Sequence, residues 1–250
     1  MRKTSIFFGD WNYRDAISLN ETLQGSFCVD EGENLYFSKF DFDSDGSMYI
    51  SLNKWNPEKN VRRLIAEGLF LVPIVDGNNR LIYTHPYQRN FCFSLLDDGK
   101  LVYAMSLEPT IHIFSSEGYL LTKVVLKEKL EKITKEEKEL ILKDFFQKID
   151  KALHDKVYFP EYRPLYSNLL ADDKNRIYLE RLNPVGEKSP NYFYSIFNKA
   201  GEYLYDLVLD FRISYIGRGY LYSIKINEES GKTAIIRYKI KNWDQIKEAI

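Results

Sequence analysis

Ile113-Phe114-Ser115-Ser116-Glu117-Gly118-Tyr119-Leu120 returns further along the chain as Ile196-Phe197-Asn198-Lys199-Ala200-Gly201-Glu202-Tyr203-Leu204, an Ile-Phe pair with Gly four residues after the Phe. Each copy follows a second shared unit. In the first case this is Phe93-Ser94-Leu95-Leu96-Asp97-Asp98-Gly99-Lys100-Leu101-Val102-Tyr103, and in the second Asn168-Leu169-Leu170-Ala171-Asp172-Asp173-Lys174-Asn175-Arg176-Ile177-Tyr178. Recurrence of one supersecondary unit is the mark of a repeat architecture.

The first unit predicts four strands: Asn90–Leu96, Lys100–Leu107, Thr110–Ser115 and Tyr119–Leu126. Tight turns join them at Asp97-Asp98-Gly99 and Ser116-Glu117-Gly118, where Gly supplies a positive φ. The second unit predicts Ser167–Ala171, Arg176–Asn183, Tyr192–Asn198 and Tyr203–Asp210, with a longer middle loop from Pro184 to Asn191. Tyr103 and Tyr178 are 75 residues apart. Between about 127 and 156 the pattern becomes helical: Thr134-Lys135-Glu136-Glu137 reads as a capping box, and Ile141, Phe145, Ile149 and Leu153 recur every fourth residue. Removing roughly 30 helical residues leaves about 45, the period of a four-stranded propeller blade.

A third unit predicts Ile213–Ile216, Tyr220–Ile226 and Thr233–Ile240, then a short C-terminal helix started by Asn242. Its missing outer strand is expected from the other end of the chain, at Ser5–Phe8 or Ala16–Leu19. A fourth, looser unit spans Asn34 to Tyr87, with strands Leu35–Asp41, Met48–Asn53 and Val61–Ala66, then Phe70–Val75 with Arg80–Tyr83. Without the helices the chain has room for about five blades.

The 250 residues are 44% hydrophobic and can bury a substantial core without disulfides or metal. Gly and Pro are scattered, so one domain is expected over 1–250. With 35 basic and 36 acidic side chains there is no broad field to concentrate polyanions. The aromatic residues lack the basic clusters of a single-strand platform, so no nucleic-acid partner is expected. No segment has the apolar length of a membrane span. The apolar run Ile6-Phe7-Phe8 is too short for the h-region of a signal peptide. Cys28 and Cys92 sit in apolar runs that suit buried reduced thiols; one bridge between them is the other reading.

From about Asn90 to Ile250 the chain resembles the C-terminal portion of the six-bladed β-propeller proteins, related to NHL-repeat propellers, that are widespread in bacteria. The resemblance rests on Leu95 to Tyr103, on Ile111-His112-Ile113-Phe114 with Ser115 to Gly118, and on Ile133 to Glu137. It also rests on Phe159-Pro160-Glu161-Tyr162-Arg163-Pro164 and Arg218-Gly219-Tyr220-Leu221-Tyr222. It implies an exported protein, although the leader and the Gly-rich opening blade usual in such proteins have no counterpart here. A shortened member or a fragment of a longer propeller is therefore one expectation.

The sharpest local motif is Asp41-Phe42-Asp43-Ser44-Asp45-Gly46, where alternate carboxylates before a Gly match the start of a Ca²⁺ loop. The twelfth position, where an EF-hand needs Glu, is Leu52, and the ninth, where shorter loops want an acid, is Tyr49. A polar turn is the plainer reading. His85, His112 and His154 have no metal-ligand spacing. No nucleophile elbow, phosphate loop or dinucleotide fingerprint occurs.

The most plausible contact surface is the proline-stiffened Phe159–Pro164 segment, with Glu161, Tyr162 and Arg163 as a lip at the channel mouth, although a rigid connector whose Tyr packs on the inserted helices is the favoured reading of it. Arg218, between Gly217 and Gly219, is the further candidate contact. The expected protein is an all-β propeller of the six-bladed family with a helical insertion at 127–156. With no catalytic constellation assembled, it reads as a binding or scaffold module for a protein, peptide or carbohydrate. The alternative is a metal-assisted hydrolase or lactonase drawing on Asn168, Asp172, Asp173, Asp43 and Asp45.

Overall fold

The computed structural model describes residues 2–8, 12–19, 27–42, 44, 48–71, 87, 89–145, 154, 157–186, 191–227 and 230–243. The chain forms two compact units, Met1–Val72 and Pro73–Ile250.

In the smaller unit β1 (Arg2–Phe8) pairs antiparallel with β2 (Asn12–Leu19) as a two-stranded sheet. The strands expected to complete the third repeat therefore pair with each other, with Ser5 opposite Ala16. A hairpin partner a few residues away costs far less loop closure than a distant one. A four-stranded antiparallel sheet follows in chain order: β3 (Phe27–Val29), β4 (Leu35–Phe42), β5 (Met48–Asn56) and β6 (Val61–Leu71). The looser repeat thus opens at Phe27, not Asn34. Phe70 and Leu71 end β6 instead of starting a new strand, and Arg80–Tyr83 lies outside the described residues. Leu35 and Phe37 are buried against Val29 and Trp55.

The larger unit holds three more up-and-down antiparallel sheets. The first contains β7 (Phe91–Leu95), β8 (Leu101–Met105), β9 (Thr110–Phe114) and β10 (Leu120–Val125). The second contains β11 (Tyr166–Ala171), β12 (Ile177–Arg181), β13 (Tyr192–Phe197) and β14 (Tyr203–Leu209). The third, with β15 (Tyr215–Gly217), β16 (Tyr220–Ile226) and β17 (Thr233–Lys239), has three strands. With the β3–β6 sheet these make four sheets of propeller-blade type.

Alternation along each strand makes the second sheet two-faced. Ile177, Leu179 and Phe197 pack on Cys92, Val102, Ala104, Ile111 and Ile113 of the first sheet. Tyr178, Tyr194 and Ile196 face the other way, onto Ile216 and Leu221 of the third and onto Phe211 and Ile213 in the connection leading to it. The opening strands lie closest together, β11 along β7 and touching β15, as in propeller blades.

Polar stitches hold neighbouring sheets in register. The Asp97 N–H donates to Asn175 Oδ1 (2.7 Å), and the Arg218 N–H to Asp173 Oδ2 (2.9 Å). The Leu165 N–H reaches Ser106 O at 2.6 Å. The first two lie at the end carrying the tight turns, the third at the end carrying the inter-sheet connections.

One helix is described, α1 (Lys135–Phe145), so the helical insertion is shorter at its start than the sequence pattern suggests. Residues 127–134 are not helical, and Lys132 forms a β-bridge with Tyr162 before the cap at Thr134. Ile149 and Leu153, and the helix expected after Asn242, fall outside the described residues.

Candidate binding site

At the connection end, α1 is anchored through one carboxylate. The Thr134 N–H donates to Glu137 Oε2 (2.8 Å) and the Glu137 N–H to Thr134 Oγ1 (3.2 Å), the reciprocal capping box. The buried Glu137 side chain also accepts from the Tyr87 hydroxyl (2.5 Å) and from Arg163 Nη1 (3.3 Å). Tyr87 Oη in turn accepts the Val185 N–H (2.8 Å). Burial, then its bond to the Glu137 carboxylate, pushes the Tyr87 phenol up to about 12. Tyr87, Ile133, Ile141 and Val157 form a small core beneath this network.

The segment 161–163 is stitched to the chain entering the helix. The Arg163 N–H donates to Glu131 O (2.8 Å), its guanidinium pairs with the Glu131 carboxylate, and the Ile133 N–H donates to Glu161 O (3.2 Å). Lys132 pairs with Glu161 (2.9 Å) and lies 5.9 Å above the Tyr162 ring. The hydrogen bond from Lys132 holds the exposed Glu161 carboxyl below its usual range.

Arg163, Pro164, Arg181, Pro184, Glu128 and Glu131 border a cleft of about 320 Å³ at this end. Arg181 is held by side chains of the two neighbouring strands β13 and β14. Its Nε and Nη2 donate to Ser195 Oγ (3.0 and 2.8 Å), and Nη2 also donates to both oxygens of Asp206 (2.9 and 3.1 Å). Glu128 Oε1 stands 3.9 Å away. Beside this group, Glu180 accepts from Ser167 Oγ (2.8 Å) and from Arg212 Nε (3.0 Å).

Glu161, Tyr162 and Arg163 thus come together, but Arg218 lies at the opposite, turn end. Asp41 pairs with Lys39 (2.7 Å) and accepts from Ser51 Oγ (3.4 Å); Asp43 and Asp45 lie outside the described residues. Asp172 is buried against Arg176, Asp173 accepts the Arg218 N–H, and Asn168 Oδ1 accepts the Leu169 N–H (2.9 Å). Among the described residues no three His, Cys, Asp or Glu side chains converge on a metal position. Neither Cys28 nor Cys92 is in a disulfide. Arg181 escapes a sequence reading because it looks like any arginine ending a strand; its pairing with Ser195 and Asp206 follows only from the register of β12, β13 and β14.

No family model and no curated protein matches the sequence. Among solved structures, the chain is similar to a member of the DUF4221 family from Bacteroides vulgatus, at 10% identity and a TM-score of 0.40 over 82% of this chain and 64% of that one. It is similar to Sqt1 from Saccharomyces cerevisiae at 8% identity and a TM-score of 0.34, over 93% of this chain and 65% of that one. Virginiamycin B lyase from Staphylococcus aureus matches at 7% identity and a TM-score of 0.31, over 86% and 83%. The chain spans less than two thirds of the length of the first two. Likenesses this loose transfer no residue role.

Proposed function

We propose that the chain is a non-enzymatic binding module, built from blades of a six-bladed-type propeller, that holds an acidic peptide segment of a partner protein at its connection end. The observation behind this is the cleft walled by Pro164 and Pro184, into which the folded sheets bring Arg163 and Arg181 together. Both guanidinium groups are already ordered, so a ligand carboxylate gains two-point recognition at little entropic cost. Arg163 also pairs with the buried Glu137, whereas its partner Glu131 and Arg181's partner Asp206 are exposed carboxylates that a peptide carboxylate would displace.

The test is selection from a displayed peptide library with the intact chain, followed by fluorescence anisotropy on the enriched sequences. Acidic peptides should be enriched, and Arg181→Gln should weaken them by about tenfold, the worth of one charge-assisted hydrogen bond. Failure to enrich acidic sequences, or turnover of a bound peptide, overturns the reading.

A further inference from the structure

The turn end of the larger unit carries a separate cleft of about 480 Å³, within the range of roughly 300–1,000 Å³ for small-molecule sites. Arg218, Tyr220, Lys239, Trp243, Asp173 and Asn242 line it. Lys239 and the Arg218 guanidinium make no ion pair among the described residues.

Arg218 holds an unusual place. Gly217 pairs with Tyr220, so Arg218 and Gly219 form a two-residue hairpin turn in which both φ angles are positive, 52° and 78°. That geometry favours Asn-Gly, and a side chain such as Arg costs about 1–2 kcal/mol in the left-handed region. Arg218 is thus one of the non-Gly residues held at a φ that Asn or Gly adopts at lower cost, with its side chain exposed beside the cleft.

Trp243 is seated from three sides. A Cβ on Gly219, at φ +78°, would stand 3.3 Å from the indole Cγ, tighter than an ordinary contact, so Gly suits this approach. Lys174 Nζ donates to Trp243 O (2.7 Å), and the Arg176 guanidinium carbon lies 4.4 Å from the indole centroid. Arg176 is 1% exposed, and its two terminal nitrogens have no hydrogen-bond partner among the described residues. Opposite, Arg237 lies 4.6 Å from the Tyr220 ring. The cleft therefore offers two aromatic rings backed by buried or stacked cations, two unpaired cations, and Asp173 Oδ1 and Asn242 as short polar groups.

We propose that this cleft binds a carboxylate-bearing saccharide of the uronate type. Sugar C–H faces pack on indole and phenol rings. Asp173 and Asn242 suit hydroxyl groups, and Arg218 and Lys239 suit the carboxylate. The site is independent of the peptide cleft at the other end.

The intact chain is titrated with trigalacturonate, neutral maltotriose and penta-glutamate, followed by calorimetry and tryptophan fluorescence. Trigalacturonate should bind about tenfold or more tighter than maltotriose, with affinity falling as salt rises. Arg218→Asn should lower that affinity by about tenfold while leaving the unfolding midpoint equal or higher, because Asn suits the turn. Trp243→Phe should abolish the fluorescence response, and Lys123→Gln, on the exposed face of β10, should change nothing. Absence of trigalacturonate binding, equal binding of penta-glutamate, or unchanged affinity in Arg218→Asn overturns the proposal.

Discussion

At the residue scale, one device recurs in both units. Asp30 accepts from the Asn34 N–H (2.9 Å) and the Tyr36 hydroxyl (3.0 Å); Asp172 accepts from the Arg176 N–H (2.9 Å) and the Tyr178 hydroxyl (2.8 Å). In each the residue two positions before the strand has a positive φ, Glu33 at 58° and Asn175 at 59°. The Asp thus closes the turn and grips the next strand through a Tyr six residues on. Burial alone would raise the Asp30 carboxyl, but the Asn34 and Tyr36 hydrogen bonds and Lys54 outweigh it and hold the group below its ordinary 3.8. A folded value below the unfolded one means stability that is present above pH 3.8 and lost as pH falls through the folded value. Unfolding midpoints measured from about pH 5 down to about pH 3 should fall less steeply in Asp30→Asn than in the parent chain. Equal slopes would show that Asp30 is not so linked.

At the element scale, α1 depends on its first turn. An isolated 11-residue helix is marginal in water, and Glu137 joins its N-terminus to Tyr87 and Arg163. Thr134→Ala should cost about 1 kcal/mol, with Thr134→Ser recovering most of it. Hydrogen exchange at the α1 amides reads this locally: faster exchange confined to α1 and 161–163 is expected. The 161–163 segment thus braces the start of the helix, and its Arg163 also borders the neighbouring cleft.

At the scale of the whole larger unit, stability rests on how the sheets stack. Gly201, at φ +85°, turns between β13 and β14, and a Cβ there would meet Val124 Cγ2 on the neighbouring sheet at 2.1 Å. Gly201→Ala should cost about 2 kcal/mol or more, through the positive φ and the overpacked sheet contact together. A denaturant midpoint for Gly201→Ala equal to the parent's would show that the sheets slide freely past one another. Cys92, enclosed between the same two sheets, has its thiol pushed up to about 12 by burial and then by Glu180.

The β strands of the larger unit, their turns and the capping box were legible in the chain, because pleat alternation, positive-φ turn residues and the Thr134–Glu137 spacing are local properties. The Asp-to-Tyr spacing of six at Asp30 and Asp172 also occurs at Asp43/Tyr49 and Asp97/Tyr103, so the spacing alone does not tell which Asp closes its turn on the Tyr. Pairing between distant segments was not legible. The bridge of Lys132 with Tyr162, the seat of Trp243 on Gly219 and Arg176, the meeting of Arg163 with Arg181, and the mutual pairing of β1 and β2 depend on sheet register and stacking. Those are set by burial summed over many side chains, a quantity that no short window of residues contains.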